Sequence, residues 1–226
     1  MFHRAKLAEL DRDDAILETA ADAADAARSS GTTRAAFLTR GGLMVGAGLG
    51  LGSLPIALAG AQGGLSSGDV RILNYALTLE YLEAAFYADA LKRAGLRGNV
   101  LAFARTAHGD EQAHVDALKR TLGGKAVKRP RFDFMDATGS QDAFLRTAMT
   151  LEDTGVSAYQ GQAPNIASRD VLAAAGAILA VEARHAAWVA DLIGRGSDPS
   201  PAPDAFSPAL DMNAVLAAVR RTGFIQ

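Results

Sequence analysis

The sequence predicts an all-α protein: a four-helix bundle of two antiparallel hairpins joined by a long crossover, with a short C-terminal helix added. From residue 66 onward, apolar residues recur at three- and four-residue spacing in four long segments, each bounded by capping or helix-breaking residues. The first two and the last two segments are joined by short links, whereas the middle link is long. Short links join antiparallel neighbours, so the four helices pair into two hairpins.

The first hairpin is bounded by residues that start and stop helices. Ser67 is the predicted N-cap of the first helix, and Gly95 suits its C-terminal stop. The second helix is predicted from about residue 99 to residue 122, where two consecutive glycines follow. These limits leave only a few residues for the turn between the two helices.

The second hairpin follows an irregular stretch. Residues 125–139 contain Pro130 and show no helical period, so we expect an extended crossover there. Ser140 is the predicted N-cap of the third helix, which reaches about Gln162. The fourth helix is predicted to be capped by Ser168 and to end near residue 194.

Three further regions flank the predicted bundle of residues 66–195. Residues 1–30 form an acidic, Ala-rich tail, and residues 196–226 form a Pro-rich tail with a short helix over 213–221. Residues 31–61 have the layout of an export signal or a membrane anchor, because basic residues precede an uncharged, Gly-rich run that ends in small residues. The uncharged run, residues 41–61, is long enough to cross a bilayer.

The start of this third region resembles a twin-arginine export signal. Arg34, Phe37 and Leu38 match the usual Arg-Arg-x-Phe-Leu core, but Ala35 stands where the second Arg is expected, so the signal is degenerate. We therefore expect an exported protein of the periplasm, cell envelope or extracellular space. Contact with a membrane is expected only through residues 41–61, if that run is not cleaved.

Charge and cysteine content exclude several classes of function. The chain has 23 basic and 25 acidic residues and a net charge of −2, which provides no electrostatic footprint for nucleic acid. It has no Cys, which excludes thiolate catalysis, Cys-ligated zinc and iron–sulfur clusters. Any bound metal must therefore be held by oxygen and nitrogen ligands.

Glutamate is scarce for a helical chain, and its positions are patterned. Only 7 of the 25 acidic residues are Glu, and five of these lie beyond residue 60: Glu80, Glu83, Glu111, Glu152 and Glu182. A Glu-x-x-His motif ends at His114 and recurs at His185, and each motif follows a partner Glu by 31 or 30 residues. The halves superpose with an offset of 71 or 72 residues, which indicates a duplicated hairpin.

Helical spacing directs four carboxylates into the middle of the bundle: Glu80, Glu111, Glu152 and Glu182. Their neighbours on the same helix faces are apolar, while Arg105, Lys119 and Arg146 fall on other faces. An uncompensated buried ion costs on the order of several kcal/mol, so four such carboxylates require neutralisation.

Two divalent cations would neutralise the four carboxylates, with His114 and His185 each supplying a neutral nitrogen. A carboxylate-rich set with one imidazole per metal suits iron or manganese, and zinc is allowed on affinity grounds. Matched partners at matched spacing favour such a dimetal site. The alternative is a bundle in which buried Glu and His residues form hydrogen bonds without a metal.

The motifs resemble those of the ferritin-like superfamily, and within it a bacterial and plant group that includes desiccation-related proteins. The resemblance covers roughly residues 66–194 and includes the crossover sequence Phe132-Asp133-Phe134. The other matching segments are Leu77-Thr78-Leu79-Glu80-Tyr81-Leu82-Glu83 with Phe86-Tyr87, Asp110-Glu111-Gln112-Ala113-His114, Leu151-Glu152, and Val181-Glu182-Ala183-Arg184-His185.

The resemblance implies a role for each residue of the site. Glu80 and Glu152 would be terminal ligands and Glu111 and Glu182 bridging ligands, with nitrogen ligands from both histidines: His114 and His185. Two iron ions are favoured and manganese is the alternative. The two Glu-x-x-His pairs resemble the symmetric sites of bacterioferritin, rubrerythrin and manganese catalase more than animal ferritin, which keeps only one such pair.

Three further side chains have two interpretations each. The resemblance implies that Tyr87 and Tyr159 donate hydrogen bonds to ligand carboxylates across the bundle, and plain core packing is the alternative. Glu83, one turn from Glu80, is either an additional ligand or a partly exposed acid.

The function expected from the resemblance is redox chemistry or iron handling in oxidative or desiccation stress, with oxygen or peroxide as reactant. Ferroxidase, peroxidase and catalase types all belong to this class. The absence of Cys disfavours a complete rubrerythrin-like peroxidase, which has its own rubredoxin-type electron donor. Two alternatives stand beside it: manganese-catalase-like disproportionation of peroxide, and a non-catalytic structural or stress-protection bundle.

Overall fold

The computed structural model describes residues 64–194 and 200–226, so the acidic tail and the export-signal-like segment, residues 1–30 and 31–61, lie outside the described residues. The described part is helical, which confirms the predicted fold class. Its five α-helices are α1 (Ser67–Arg93), α2 (Gly98–Leu122), α3 (Gln141–Gln162), α4 (Arg169–Gly194) and α5 (Met212–Thr222).

The helices begin and end close to the predicted positions, with one shift. The N-cap of α1 is Ser66 rather than the predicted Ser67, because the Ser66 hydroxyl accepts a hydrogen bond from the Asp69 backbone N–H at 2.9 Å. Ser140 caps α3 in the predicted way, accepting from the Ala143 N–H at 3.2 Å. The serine predicted to cap α4, Ser168, accepts from the backbone of its first turn.

The bundle consists of two antiparallel hairpins, α1 with α2 and α3 with α4. The hairpins meet through contacts of α1 with α3 and of α2 with α4. The crossover runs along α1: the Val127 N–H donates to Asn74 Oδ1 near the start of α1, and the Arg93 guanidinium donates to the Met135 carbonyl near its end. Because the crossover spans this length, α3 starts beside the end of α1 and runs antiparallel to it.

The C-terminal segment folds back onto α3 and the crossover. The Leu210 N–H donates to the Ser157 carbonyl of α3 at 3.1 Å. Ile225, which follows α5, forms an isolated antiparallel bridge with Phe132 of the crossover. A hydrogen bond from the Asp133 N–H to the Phe224 carbonyl supports this bridge. The short helix predicted near residues 213–221 therefore has a defined packing site.

The core divides into two clusters of different composition. One cluster is aromatic, and its rings meet at centroid distances of 5.3 to 6.3 Å: Phe86, Tyr87, Phe103, Phe134, Phe144 and Phe224. The other is mainly aliphatic and lies towards the opposite end of α1, around Leu73, Leu77, Val115 and Val171. The predicted ligand residues lie between these two clusters.

Among the described helices, α4 alone has the length and apolar composition that could cross a membrane. The buried core helix of a bundle meets the same criterion, and α4 carries the ionisable residues Glu182 and His185 on its buried face.

Candidate metal centre

Six predicted ligand residues meet in the middle of the bundle, one or two from each of the four long helices. The four carboxylates have no exposed surface, and the two imidazoles are almost entirely buried. The six residues are Glu80 on α1, Glu111 and His114 on α2, Glu152 on α3, and Glu182 and His185 on α4.

One half of the site surrounds the imidazole of His114. Its Nδ1 lies 2.9 Å from Glu111 Oε2 on the same helix, 3.2 Å from Glu80 Oε2 and 3.2 Å from Glu182 Oε1. Because Glu80 reaches this point from α1 and Glu182 from α4, three helices contribute side chains to one imidazole nitrogen.

The other half surrounds His185 in a similar way. Its Nδ1 lies 3.0 Å from Glu111 Oε1 and 3.5 Å from Glu152 Oε2. Each half has four residues whose potential ligand atoms all lie within 4.8 Å of one another: Glu80, Glu111, His114 and Glu182 in one, and Glu111, Glu152, Glu182 and His185 in the other. The two sets share the carboxylates of Glu111 and Glu182.

Several of these atoms are buried without a hydrogen-bond partner in the structure. They include Oε1 of Glu111, Oε2 of Glu152, both carboxylate oxygens of Glu182, and Nδ1 of His185. Some of them lie close to one another, but not in hydrogen-bond geometry. Buried polar atoms are normally paired, since an unpaired one costs about 1–3 kcal/mol. Orphaned oxygen and nitrogen atoms that converge on one place fit a site that binds metal ions.

Two tyrosines hold the carboxylates of Glu152 and Glu80 from across the bundle. The hydroxyl of Tyr87 on α1 donates to Glu152 Oε1 on α3, and the hydroxyl of Tyr159 on α3 donates to Glu80 Oε1 on α1. Both hydroxyls are thus hydrogen-bonded to the site, in addition to the packing of both rings in the core. In each carboxylate the Tyr occupies one oxygen and leaves the other facing the cluster.

A further carboxylate, Glu83, is buried beside the six, with 3% of its surface exposed. The alternative of a partly exposed acid is therefore wrong. It occupies space that Gly155 of α3 leaves open: a Cβ at Gly155 would lie 3.4 Å from Glu83 Oε1 and 2.8 Å from Glu182 Oε2. The carboxylates of Glu83 and Glu182 thus converge on the surface of α3 where a side chain is missing.

Asp110, next to Glu111 on α2, forms the link between the site and the surface. Its Oδ2 lies 3.1 Å from Nε2 of His185, and 45% of its side chain is exposed. In the sequence, Asp110 is part of the segment Asp110-Glu111-Gln112-Ala113-His114, but that pattern predicts no role for it. Its partner lies on another helix, so no spacing along the chain identifies the contact.

Burial and mutual repulsion make three of the buried carboxylates, those of Glu83, Glu111 and Glu182, retain protons. Burial raises the pKa of Glu182 well above its usual value, and the charges of Glu111 and Glu80 raise it further. Burial, together with the charge of Glu182, also raises the pKa of Glu83 well above its usual value. The pKa of Glu111 rises to about 7, because burial outweighs the lowering effect of its close contacts with the two histidines.

The histidines retain protons too. Burial alone would lower the pKa of His185, but its contacts with Glu111 and Glu152 raise it to about 11. The pKa of His114 is raised for the same kind of reason, mainly by the charge of Glu80. In return, the charge of His114 and its hydrogen bond lower the pKa of Glu80 despite complete burial. In the metal-free protein, protons therefore neutralise part of the charge that two metal ions are expected to neutralise.

Fold and site together define a class of protein: a four-helix bundle with a buried carboxylate and histidine cluster suited to two metal ions. The family model of the ferritin-like domain matches residues 68–195, more than half of the chain. This protein therefore belongs to the ferritin-like domain family. No curated protein sequence matches the chain.

Proposed function

We propose that this protein binds a dinuclear iron or manganese centre in the middle of its bundle. One observation carries the proposal: the two four-residue sets share Glu111 and Glu182. The first set is completed by Glu80 and His114, and the second set is completed by Glu152 and His185. The shared carboxylates would bridge two ions, and the unshared ones would each bind a single ion. Two overlapping sets of this kind suit a pair of metals better than one.

Iron is the first choice for the metals and manganese the second. Each set offers three carboxylates and one imidazole, a hard, oxygen-rich environment with no sulfur ligand. Glu83 would add a further carboxylate beside Glu182. Zinc also binds such ligands, but a structural zinc site typically has four ligands dominated by Cys and His.

Iron or manganese bound by these residues would supply redox chemistry with oxygen, peroxide or an oxidisable substrate. The protein's own residues would orient the ligands and limit access of water. Tyr87 lies among the rings of Phe86, Phe103 and Phe144, which close one end of the site. Both tyrosine hydroxyls orient the carboxylates that they contact. The carboxylate of Asp110 contacts His185 Nε2, and the side chain of Asp110 is partly exposed, so a proton could reach solvent along this contact.

The function that we infer is redox chemistry or iron handling in oxidative or desiccation stress. Manganese-catalase-like disproportionation of peroxide is the second candidate. The absence of Cys favours it over a self-contained peroxidase, because disproportionation needs no external reductant. A non-catalytic structural or stress-protection bundle is the remaining reading.

Elemental analysis tests the metal centre directly. Protein purified without added metal should carry about two iron or manganese ions per chain. Glu111→Ala combined with Glu182→Ala should abolish this content, because it removes both shared carboxylates. The matched control is Asp116→Ala with Asp191→Ala, two exposed acids on the same two helices. Wild-type protein that holds no stoichiometric metal after reconstitution would refute the dimetal site.

Two assays on the metal-loaded protein separate the activities. Release of oxygen from hydrogen peroxide supports the catalase type, whereas oxygen-dependent oxidation of Fe(II) supports ferroxidase chemistry. A loaded protein that does neither supports a structural or storage role.

We also propose that the protein is exported through residues 31–61, a segment outside the described residues. The order of basic, uncharged and small residues supports this proposal. N-terminal sequencing of the mature protein tests whether this segment is a cleaved export signal. A start near residue 60 or 62 supports cleavage, and a start at Met1 rules cleavage out.

A further inference from the structure

The two halves of the site differ in whether a carboxylate outside the six-residue cluster contacts the histidine, although the duplication would have made them equal. An offset of 71 residues pairs Glu111 with Glu182 and His114 with His185. The same offset pairs Asp110 with Val181. A carboxylate therefore precedes the first Glu-x-x-His motif, and a half-buried apolar side chain precedes the second.

The contact of Asp110 determines which nitrogen of His185 faces the cluster. A carboxylate accepts hydrogen bonds, so at 3.1 Å it holds the proton of His185 on Nε2. Nδ1, which faces Glu111 and Glu152, is then the atom that would bind a metal. A hydrogen bond of this kind fixes both the tautomer and the orientation of an imidazole ligand.

His114 has no equivalent support. The hydrogen bonds of His114 are formed by Nδ1, with Glu80 and Glu111 of the cluster. No side chain of residues 64–194 or 200–226 accepts a hydrogen bond from Nε2 of His114. Val181, the counterpart of Asp110, has no polar atom to offer. The imidazole of His185 is thus fixed by a carboxylate on its far side from the cluster, and the imidazole of His114 is not.

We propose that the two metal positions are unequal, and that the position of His185 fills first because Asp110 preorganises its imidazole. The inference rests on the proposed dimetal centre and adds an order of loading to it. Asp110 is a positioning residue, since it would act on the metal through His185. Carboxylates behind ligand histidines contribute about 10–100-fold to metal affinity, which sets the expected separation between the two binding steps.

Titration of the metal-free full chain with Mn(II), followed by electron paramagnetic resonance of the free ion, measures both steps. The wild type should bind in two separate steps. Asp110→Asn should weaken the first step by about 10–100-fold, because an amide is a poorer acceptor than a carboxylate. The matched control Asp116→Asn, an exposed acid on the same helix, should leave both steps unchanged.

If the duplicated halves have the same geometry, the reciprocal variant Val181→Asp places a carboxylate next to His114 in the way that Asp110 lies next to His185. It should tighten the second step and bring the two affinities together. A site-resolved measurement on the wild type tests the same order of loading even if this variant does not fold. When Zn(II) is added up to one ion per chain, the imidazole ¹⁵N signals of His185 should shift before those of His114.

The possible results separate this inference from the proposed function. Two equal steps in the wild type, or an Asp110→Asn protein that binds like the wild type, would overturn unequal loading while leaving a dimetal centre in place. Simultaneous shifts of both imidazoles would overturn it as well. A wild-type chain that binds no metal at all would refute the dimetal centre, and unequal loading with it.

Discussion

The carboxylates of Glu80 and Glu152 are each held by a tyrosine from the other hairpin. Tyr87 reaches from α1 to Glu152 on α3, and Tyr159 reaches from α3 to Glu80 on α1. Hydrogen bonds to a charged group contribute about 1.5–3 kcal/mol each, so these two bonds both orient the ligands and fasten the hairpins together. Gly155 leaves room for the carboxylates of Glu83 and Glu182.

Gly155→Ala should weaken metal binding by at least about 10-fold and leave the fold intact. The added Cβ would lie 2.8 Å from Glu182 Oε2, so this flexible carboxylate must turn away from its position. Helix propensity favours Ala over Gly by about 1 kcal/mol, which offsets part of the strain. Mn(II) titration measures the affinity, and urea unfolding of the metal-free protein measures the stability.

Gly176→Ala is the matched control for this prediction. Gly176 also lies inside a helix of the bundle, but a Cβ there meets nothing within 4 Å. This variant should bind metal like the wild type and unfold at slightly higher urea. Unchanged metal affinity in Gly155→Ala would contradict the role given to the space at Gly155.

At the scale of elements, the C-terminal segment fastens α3 to the crossover. Its buried side chains are Val215, Val219 and Phe224, and full burial of such side chains contributes about 1.5–3 kcal/mol each. The segment approaches α3 so closely that the Leu210 carbonyl lies against Gly161. This contact requires the absence of a side chain at that position.

Gly161→Ala should release the C-terminal segment from α3. A Cβ at Gly161 would lie 1.8 Å from the Leu210 carbonyl oxygen, and backbone cannot yield as a side chain can. Hydrogen exchange should show loss of protection in α5, while the amides of α1 to α4 remain protected. Gly109→Ala is the control, because that position inside α2 has nothing within 4 Å. Full protection of α5 in Gly161→Ala would show that the segment does not depend on this approach.

At the scale of the whole molecule, stability depends on how the buried charges are neutralised. In the metal-free protein the site holds five buried carboxylates and two imidazoles, and protons balance part of the negative charge. Arg105, Lys119 and Arg146 are exposed, so they do not neutralise the site. Protons and metal ions therefore compete for the same oxygen and nitrogen atoms.

The metal-free protein should lose stability as the pH rises from about 5 to about 9. The pKa of Glu111 is about 7 in the fold against 4.5 normally, so the folded state holds its proton longer and stability is lost between these values. The pKa of His185 is raised from 6.5 to about 11, so its contribution is complete below pH 6.5 and is lost as the pH rises towards 11. Both groups thus act in the same direction.

Thermal unfolding of the metal-free chain across this pH range measures the effect. Saturating Mn(II) should raise the melting temperature most at high pH, because fewer protons then need to be displaced. Glu111→Gln with Glu182→Gln should flatten the dependence in the metal-free protein. A metal-free melting temperature that increases from pH 5 to pH 9 would contradict this account.

Much of the fold could be predicted because its determinants are local. Capping serines, Pro130 and the three- and four-residue spacing identify the helices within a few residues. The one-residue shift of the first cap arises because Ser66 and Ser67 are both suitable caps, and only the hydrogen bond to Asp69 selects between them. Contacts between elements, such as that of Leu210 with Gly161, leave no such local pattern.

The sequence by itself determined four helices in two hairpins and a duplicated set of Glu and His residues at matched heights, since helical periodicity depends only on spacing along the chain. The tertiary structure brings Glu111 and Glu182 into both halves of the site, as the family resemblance implied. It alone decided that Glu83 is buried against Gly155 and that Asp110 contacts His185. Those contacts depend on how far each helix is rotated and shifted against its neighbours, which is set by packing of the whole core.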